Sequence, residues 1–195
     1  MKLLIDSSTN YLYLSIINDS YVKSFVRSGK NDHSETLVDF LNKFLNENNV
    51  KIDDINEVYV GRGPGSYTGL RIAGTVGKVL AHIKNKKLYS FSSLDLILAS
   101  KLEVNGSYIS RIDAKKNHSY YKIVNVENNS LNVIVDESFG KDEDAFKDYQ
   151  DYEILEMNDE FFELNPAKNI IKYSLFKEES TLDFTPNYIR SGIWW

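Results

Sequence analysis

The sequence predicts an α/β protein, a mixed sheet with helices on its faces, and three observations predict it. Near the start, short runs of apolar residues alternate with polar ones at the two-residue period of strands. Two longer segments, 34–47 and 66–84, repeat their apolar residues at the helical period instead. Single strand-like runs then separate the helices, so residues 1–104 read β-β-β-α-β-α-β-α. Turns join the first three strands and helical crossovers the rest, which suits a mixed sheet.

Residues 3–7 form the first strand, Asn10 marks a turn, and residues 11–17 alternate as the second. Asn18-Asp19-Ser20 turns the chain into a third strand over 21–27, followed by a polar loop over 28–31. Asp32 with Glu35 three residues on has capping-box spacing and opens the first helix. On it Leu37, Val38, Phe40, Leu41, Phe44 and Leu45 fill an arc of roughly 160°.

A strand over 55–60 runs into Gly61, Gly63, Pro64 and Gly65, and Ser66 opens the second helix. Its apolar and small residues span roughly 220° of the wheel, leaving Arg71, Thr75, Lys78 and His82 one narrow stripe. A helix laid on one sheet needs only about 100° or a little more. Gly69, Ala73, Gly77 and Ala81 also recur every four residues, a row that admits the backbone of another helix. Three interior glycines cost about 1 kcal/mol each relative to alanine, so a packing reason is expected. Either this helix is central within its own domain, or half of it is a docking surface.

Residues 88–91 make another strand, and Ser92 or Ser93 caps a helix over 94–102. Asn105-Gly106 is a turn, and it divides an N-terminal lobe, 1–104, from a smaller C-terminal lobe, 105–195. The second lobe reads as a strand meander over 108–112, 120–126 and 131–135. Short helices over 142–149 and 166–176 and a late strand over 187–190 follow.

Composition narrows the functions. A net charge of −5 argues against a protein that grips nucleic acid alone, because phosphate neutralisation dominates such binding. Without cysteine there is no disulfide, thiolate metal site or cysteine nucleophile. No apolar run approaches the roughly 18–20 residues of a membrane span. The opening run is too short for a signal peptide, so a cytoplasmic protein is expected.

Strand, glycine loop and helix in that order place free backbone N–H groups at a helix N-terminus, where an anion can bind. Gly63, Gly65 and Ser66 are the residues concerned. The loop nevertheless fails the Walker A spelling, and Ser66 stands where a dinucleotide fingerprint needs its last glycine. Asp6-Ser7-Ser8-Thr9, between the first two strands, offers a carboxylate and hydroxyls, or simply a turn-forming aspartate. His33, His82 and His118 share no i, i+4 spacing, so each is expected as an isolated surface or capping residue. Arg111, Asp113, Lys115 and Lys116 end a strand, either facing a cleft or solvated. Trp194-Trp195 closes the sequence with no assigned role.

The order of the first lobe matches the ribonuclease-H-like unit that actin-like and sugar-kinase ATPases use twice. Asp6-Ser7-Ser8-Thr9 resembles the first phosphate hairpin of those ATPases, although no glycine follows the aspartate. More specifically, Gly63-Pro64-Gly65-Ser66-Tyr67-Thr68-Gly69-Leu70-Arg71-Ile72 resembles the G-P-G-S-[FY]-T-G-L-R-[IV] run of the TsaB (YeaZ) family. Leu3 to Thr9, His33-Ser34-Glu35-Thr36-Leu37, Ser92-Ser93-Leu94, Ile112-Asp113-Ala114-Lys115-Lys116 and Pro186-Asn187-Tyr188-Ile189-Arg190 resemble further stretches of that family in the same order. The resemblance is strong over 1–116 and thin from about 120 to 180.

This resemblance implies an actin-like ATPase fold of two lobes with mixed sheets, the second reduced, that has lost catalysis and the paired metal-binding histidines. It implies no catalytic or metal residue. The implied role is a non-catalytic partner and activator of TsaD, the transferase that forms N6-threonylcarbamoyladenosine beside the anticodon of tRNAs reading A-initial codons. TsaD would dock on helices 34–47 and 66–84, a homodimer would use the same surface, TsaE would join, and tRNA would be met only through the complex. His33, Leu37, Leu41, Phe44, Tyr67, Leu70, Arg71, Ala73, Gly74 and Gly77 would carry the interface. No cofactor is expected to bind tightly, though ADP or ATP could sit at the partner interface. The alternative is an active nucleotide-dependent enzyme using Asp6, Ser7 and the 63–65 loop.

Overall fold

The computed structural model describes residues 1–29, 32–158, 161 and 164–189. Two sheets hold them. The first has six strands in the order β10-β5-β4-β1-β2-β3, and the second four in the order β8-β7-β6-β9.

In the first sheet, β1 (Lys2–Asp6), β2 (Tyr11–Ile17) and β3 (Val22–Ser28) form an antiparallel meander. β4 (Glu57–Gly61) and β5 (Lys87–Phe91) add in parallel beside β1. The crossovers are α1 (His33–Glu47) and α2 (Tyr67–Ile83), as their period requires. Alternation along the strands sends Leu3, Ile5, Val58 and Val60 to the face covered by Leu37, Leu41 and Phe44 of α1 and by Ala73 and Ala81 of α2. Leu4, Tyr13 and Tyr59 point the other way, into a core shared with the second half of the chain.

That core is closed by α3 (Ser93–Leu98) and α5 (Pro166–Lys172), together with Tyr108, Val124 and Val126 from the second sheet. Its strands are β6 (Gly106–Asp113), β7 (His118–Glu127), β8 (Ser130–Lys141) and the short β9 (Glu153–Leu155). One four-residue helix, α4 (Asp142–Ala145), follows β8.

Several expected boundaries move. The helix expected over 94–102 ends at Leu98, where the Ser100 hydroxyl takes the carbonyl of Ile97 and competes with the ladder. The one expected over 142–149 keeps a single turn. The one expected over 166–176 stops at Lys172 because Ser174 turns left-handed, φ 53°, and the Leu175 N–H reaches back to the Ile170 carbonyl. The freed chain returns as β10 (Lys177–Glu179), antiparallel to β5, so the first sheet takes a strand from the last fifth of the sequence. Residues 187–189 form no strand, while Arg190, Trp194 and Trp195 lie outside the described residues.

Candidate docking face and inter-lobe cleft

The N-terminus of α2 is fastened to the turn after β1. Ser66 caps the helix, its Oγ accepting from the Gly69 N–H at 3.3 Å, as the sequence suggests. The Ser7 hydroxyl donates to the Gly69 carbonyl at 2.8 Å, and the Ser66 N–H donates to the Ser8 carbonyl at 2.6 Å. A Cβ at Gly69 would stand 1.8 Å from the Ser7 carbonyl oxygen, and one at Gly65 only 2.2 Å from that of Ser8. These two glycines exist so that helix and turn can touch.

Asp6 is fully buried in that joint. Its Oδ1 accepts from the N–H and the hydroxyl of Ser8 at 2.9 and 2.7 Å, and its Oδ2 accepts from Ser93 at 2.7 Å. Burial pushes its carboxyl above the usual range, against the pull of these hydrogen bonds and of His33. The turn therefore does not fit a metal–phosphate group, because Asp6 is enclosed and the Ser7 hydroxyl is committed to α2. Gly63, at φ +100°, packs beside Leu70 and the Asn187 carbonyl. Among the described residues no three His, Cys, Asp or Glu side chains gather as a metal site.

Beside this joint lies a cleft of about 700 Å³ between the two sheets. Gly65, Ser66, Thr68 and His33 line one wall, and Arg111, Asp113, Lys115 and Tyr120 the other, while Lys116 is not part of it. Arg111 is held by Asp142 at 2.6 Å, by Ser119 at 2.7 Å and by Glu156. His33 corrects its expectation of a surface place. It is 6% exposed at the start of α1, and neither ring nitrogen meets a partner among the described residues. His82 is exposed, and His118 stacks on Phe139. The expected capping box at α1 does not form, since the Asp32 carboxylate pairs with Arg27 instead at 2.6 Å.

The residues expected at a partner interface divide into two groups. Leu37, Leu41, Phe44, Leu70 and Ala73 are buried inside this chain. Gly77 faces Val60 of β4, where a Cβ would lie 2.3 Å from a methyl group, so the small-residue row serves strand contact at Gly77 and turn contact at Gly69. Gly74 faces the ring of Phe184, 2.8 Å from where its Cβ would be. The second side of α2 is thus covered in part by this chain's own C-terminal segment. Tyr67 and Arg71 do face outward, joined by a hydrogen bond of 3.0 Å.

Other exposed large apolar side chains stand on these elements: Val38 on α1, Val79 and Ile83 on α2, and Leu182 and Tyr188 in the segment beside α2. With Tyr67 they make six of the eleven exposed large apolar side chains among the described residues. Val38, Val79 and Ile83 lie at the margins of the sequence arcs. Nothing periodic marks Leu182 or Tyr188.

The family model of TsaD, tRNA N6-adenosine threonylcarbamoyltransferase, matches residues 26–183. A tRNA threonylcarbamoyladenosine biosynthesis protein TsaB of Bacillus subtilis is 28% identical over 134 residues, covering 68% of this chain and 58% of the relative. The TsaB of Escherichia coli is 26% identical over 121 residues, covering 61% and 52%. The chain thus aligns with little more than half the length of these relatives. A Pseudomonas aeruginosa structure, described as an uncharacterized protein with similarity to peptidase YEAZ, superposes with a TM-score of 0.76. It is 17% identical and covers 97% of this chain and 99% of its own, a likeness of fold. Together these comparisons make the fold that of actin-like, ribonuclease-H-like ATPases.

Proposed function

We propose, from the premise that this chain belongs to the TsaD family, that it is a non-catalytic accessory subunit in threonylcarbamoyladenosine formation on tRNA. In this reading it binds and activates the TsaD transferase in the cytoplasm, meets tRNA only through that complex, and joins TsaE there.

The observation that carries the reading is that more than half of the exposed large apolar side chains among the described residues stand on α1, α2 and the segment beside α2. Large apolar side chains left exposed together on neighbouring elements and rimmed by polar residues commonly mark an interaction site. The enclosed state of Asp6 and Ser7 favours an accessory role over the nucleotide-dependent enzyme, because the carboxylate and hydroxyl that would hold a metal and phosphate are already bonded within the chain. Any ADP or ATP would then belong to the partner interface rather than to this turn.

Light scattering on the chain alone, on TsaD from the same organism, and on their mixture tests this. A heterodimer in the mixture is expected, replacing a homodimer of the isolated chain. Two unchanged masses in the mixture overturn the partner reading. Measurable ATP turnover by the isolated chain, abolished by Asp6→Asn, overturns the non-catalytic one.

A further inference from the structure

The C-terminal segment runs antiparallel along one flank of α2. The Tyr188 ring lies 5.0 Å from that of Tyr67, Phe184 sits on Gly74, and Lys78 Nζ donates to the carbonyls of Leu182 and Phe184 at 3.3 and 3.4 Å. Descending through 188, 184 and 182, the strap thus meets α2 at 67, 74 and 78. Phe184 is itself a buried member of the core under α1 and α2. The segment is therefore part of the packed molecule.

One carboxylate fixes its far end. Glu137, on β8 of the second sheet, accepts from Arg62 at 2.9 Å through Oε1 and from the Asn187 side chain at 2.7 Å through Oε2. Asn187 also donates its backbone N–H to the Arg62 carbonyl at 2.6 Å. Arg62 lies in the loop that leads from β4 into α2. A single side chain, only 10% exposed, thus joins the second lobe, the α2 entry loop and the strap. Such a charge-assisted pair holds geometry better than neutral bonds do.

We infer that Glu137 is a positioning residue that latches residues 182–188 onto α2, and that the latched strap forms part of the docking surface for the partner subunit. This rests on the partner reading given above. The exposed ring of its Tyr188 is stacked against the outward-facing Tyr67 of α2, so strap and helix present these two side chains together. Through this latch the second lobe, which contributes no helix to that face, sets the shape of the surface the partner meets.

The test compares Glu137→Ala, Leu182→Asp and Val38→Asp in the full chain, by hydrogen exchange and by affinity for TsaD. Glu137→Ala is expected to speed exchange at the amides of 184–188 and in the first turns of α2, while β1, β4 and β5 stay protected. Glu137→Gln, which keeps an acceptor for one partner, is expected to restore part of that protection. Affinity is expected to fall roughly tenfold in Glu137→Ala, the scale of one lost charged hydrogen bond, and also in Leu182→Asp. If Val38→Asp weakens binding while Leu182→Asp and Glu137→Ala do not, the strap inference fails and the partner reading stands. If Glu137→Ala binds more tightly, the strap is a cover that the partner displaces, and the inference is overturned. If the wild-type chain does not bind TsaD, the partner reading itself fails. Unchanged exchange at 184–188 in Glu137→Ala overturns the latch independently of any partner.

Discussion

Ser93 donates its hydroxyl hydrogen to Oδ2 of Asp6 at 2.7 Å, joining the start of α3 to the end of β1 across 87 residues. Gly61 makes room for this contact, since a Cβ there would stand 1.9 Å from the same carboxylate oxygen. The carboxylate of Asp6 is a buried junction between β1, β4 and α3.

Burial raises the carboxyl of Asp6 above its unfolded value, and the sign of the resulting pH dependence follows. The folded protein holds this proton more tightly than the unfolded chain. Its contribution is fully present below the ordinary aspartate range and is lost as pH rises through the elevated folded value. Asp6→Asn keeps an acceptor for Ser8 and removes the charge. Urea unfolding at a series of pH values is expected to show a flatter decline for the variant on the alkaline side of the aspartate range. A slope identical to wild type would exclude Asp6 as its source.

Gly69 and Gly74 look alike in the sequence, both small residues on one helix, yet they predict different costs. A Cβ at Gly69 meets the backbone carbonyl of Ser7 in the buried turn after β1, which the Ser7 and Ser66 hydrogen bonds hold against α2. A Cβ at Gly74 meets the edge of the Phe184 ring, which can swing with its segment. Gly69→Ala is expected to destabilise the fold by about 2 kcal/mol or more, at the upper part of overpacking costs. Gly74→Ala is expected to cost less than half as much, with the loss felt as faster exchange in 182–188. Equal costs in denaturant unfolding would contradict the distinction.

The sequence shows the order of elements over residues 1–104 clearly because its period changes from two to helical at each crossover. It shows the cap at Ser66 and a cap at Ser92 or Ser93 for the same local reason, and the structure forms them at Ser66 and Ser92. The Asp32 cap is lost to a long-range competitor, because Arg27 on β3 reaches its carboxylate in two contacts. β10 is hidden because Lys177, Glu178 and Glu179 carry no apolar alternation and are set by pairing with β5 alone. The wide apolar arc of α2 correctly signals contact on more than one side. Identifying the covering element required Phe184, which is 110 residues from Gly74 in sequence.

Val79 and Ile83 lie four residues apart on the outer margin of α2, and both are exposed, Ile83 by 70%. Neither belongs to the buried cores of the molecule. Replacing both with aspartate should leave the thermal midpoint nearly unchanged, since surface substitutions commonly alter stability by about 0.5 kcal/mol or less. Self-association and binding to TsaD are expected to fall together, because one surface serves both in the proposed reading. Light scattering checks this. Loss of one association with full retention of the other would separate the two surfaces.

The ion pair between Lys122 on β7 and Asp95 on α3 predicts an asymmetric mutational response. Lys122 Nζ lies 2.7 Å from Asp95 Oδ1, with side chains 10% and 16% exposed, and the next carboxylate, Asp136, is 3.9 Å away and open to solvent. Asp95→Ala leaves the ammonium largely without its near partner in a poorly hydrated place. That single change is expected to destabilise by roughly 3 kcal/mol, as broken buried pairs do. Lys122→Met combined with Asp95→Leu removes both charges and their desolvation cost together. The double variant is expected to be close to wild type or more stable, because apolar replacements of similar volume recover the packing. A double-mutant cycle in urea, with Lys122→Met and Asp95→Leu as its single variants, measures this. If the double variant loses as much as the sum of the two single changes, Lys122 and Asp95 act separately, and the junction between α3 and the second sheet draws its stability from the surrounding apolar core.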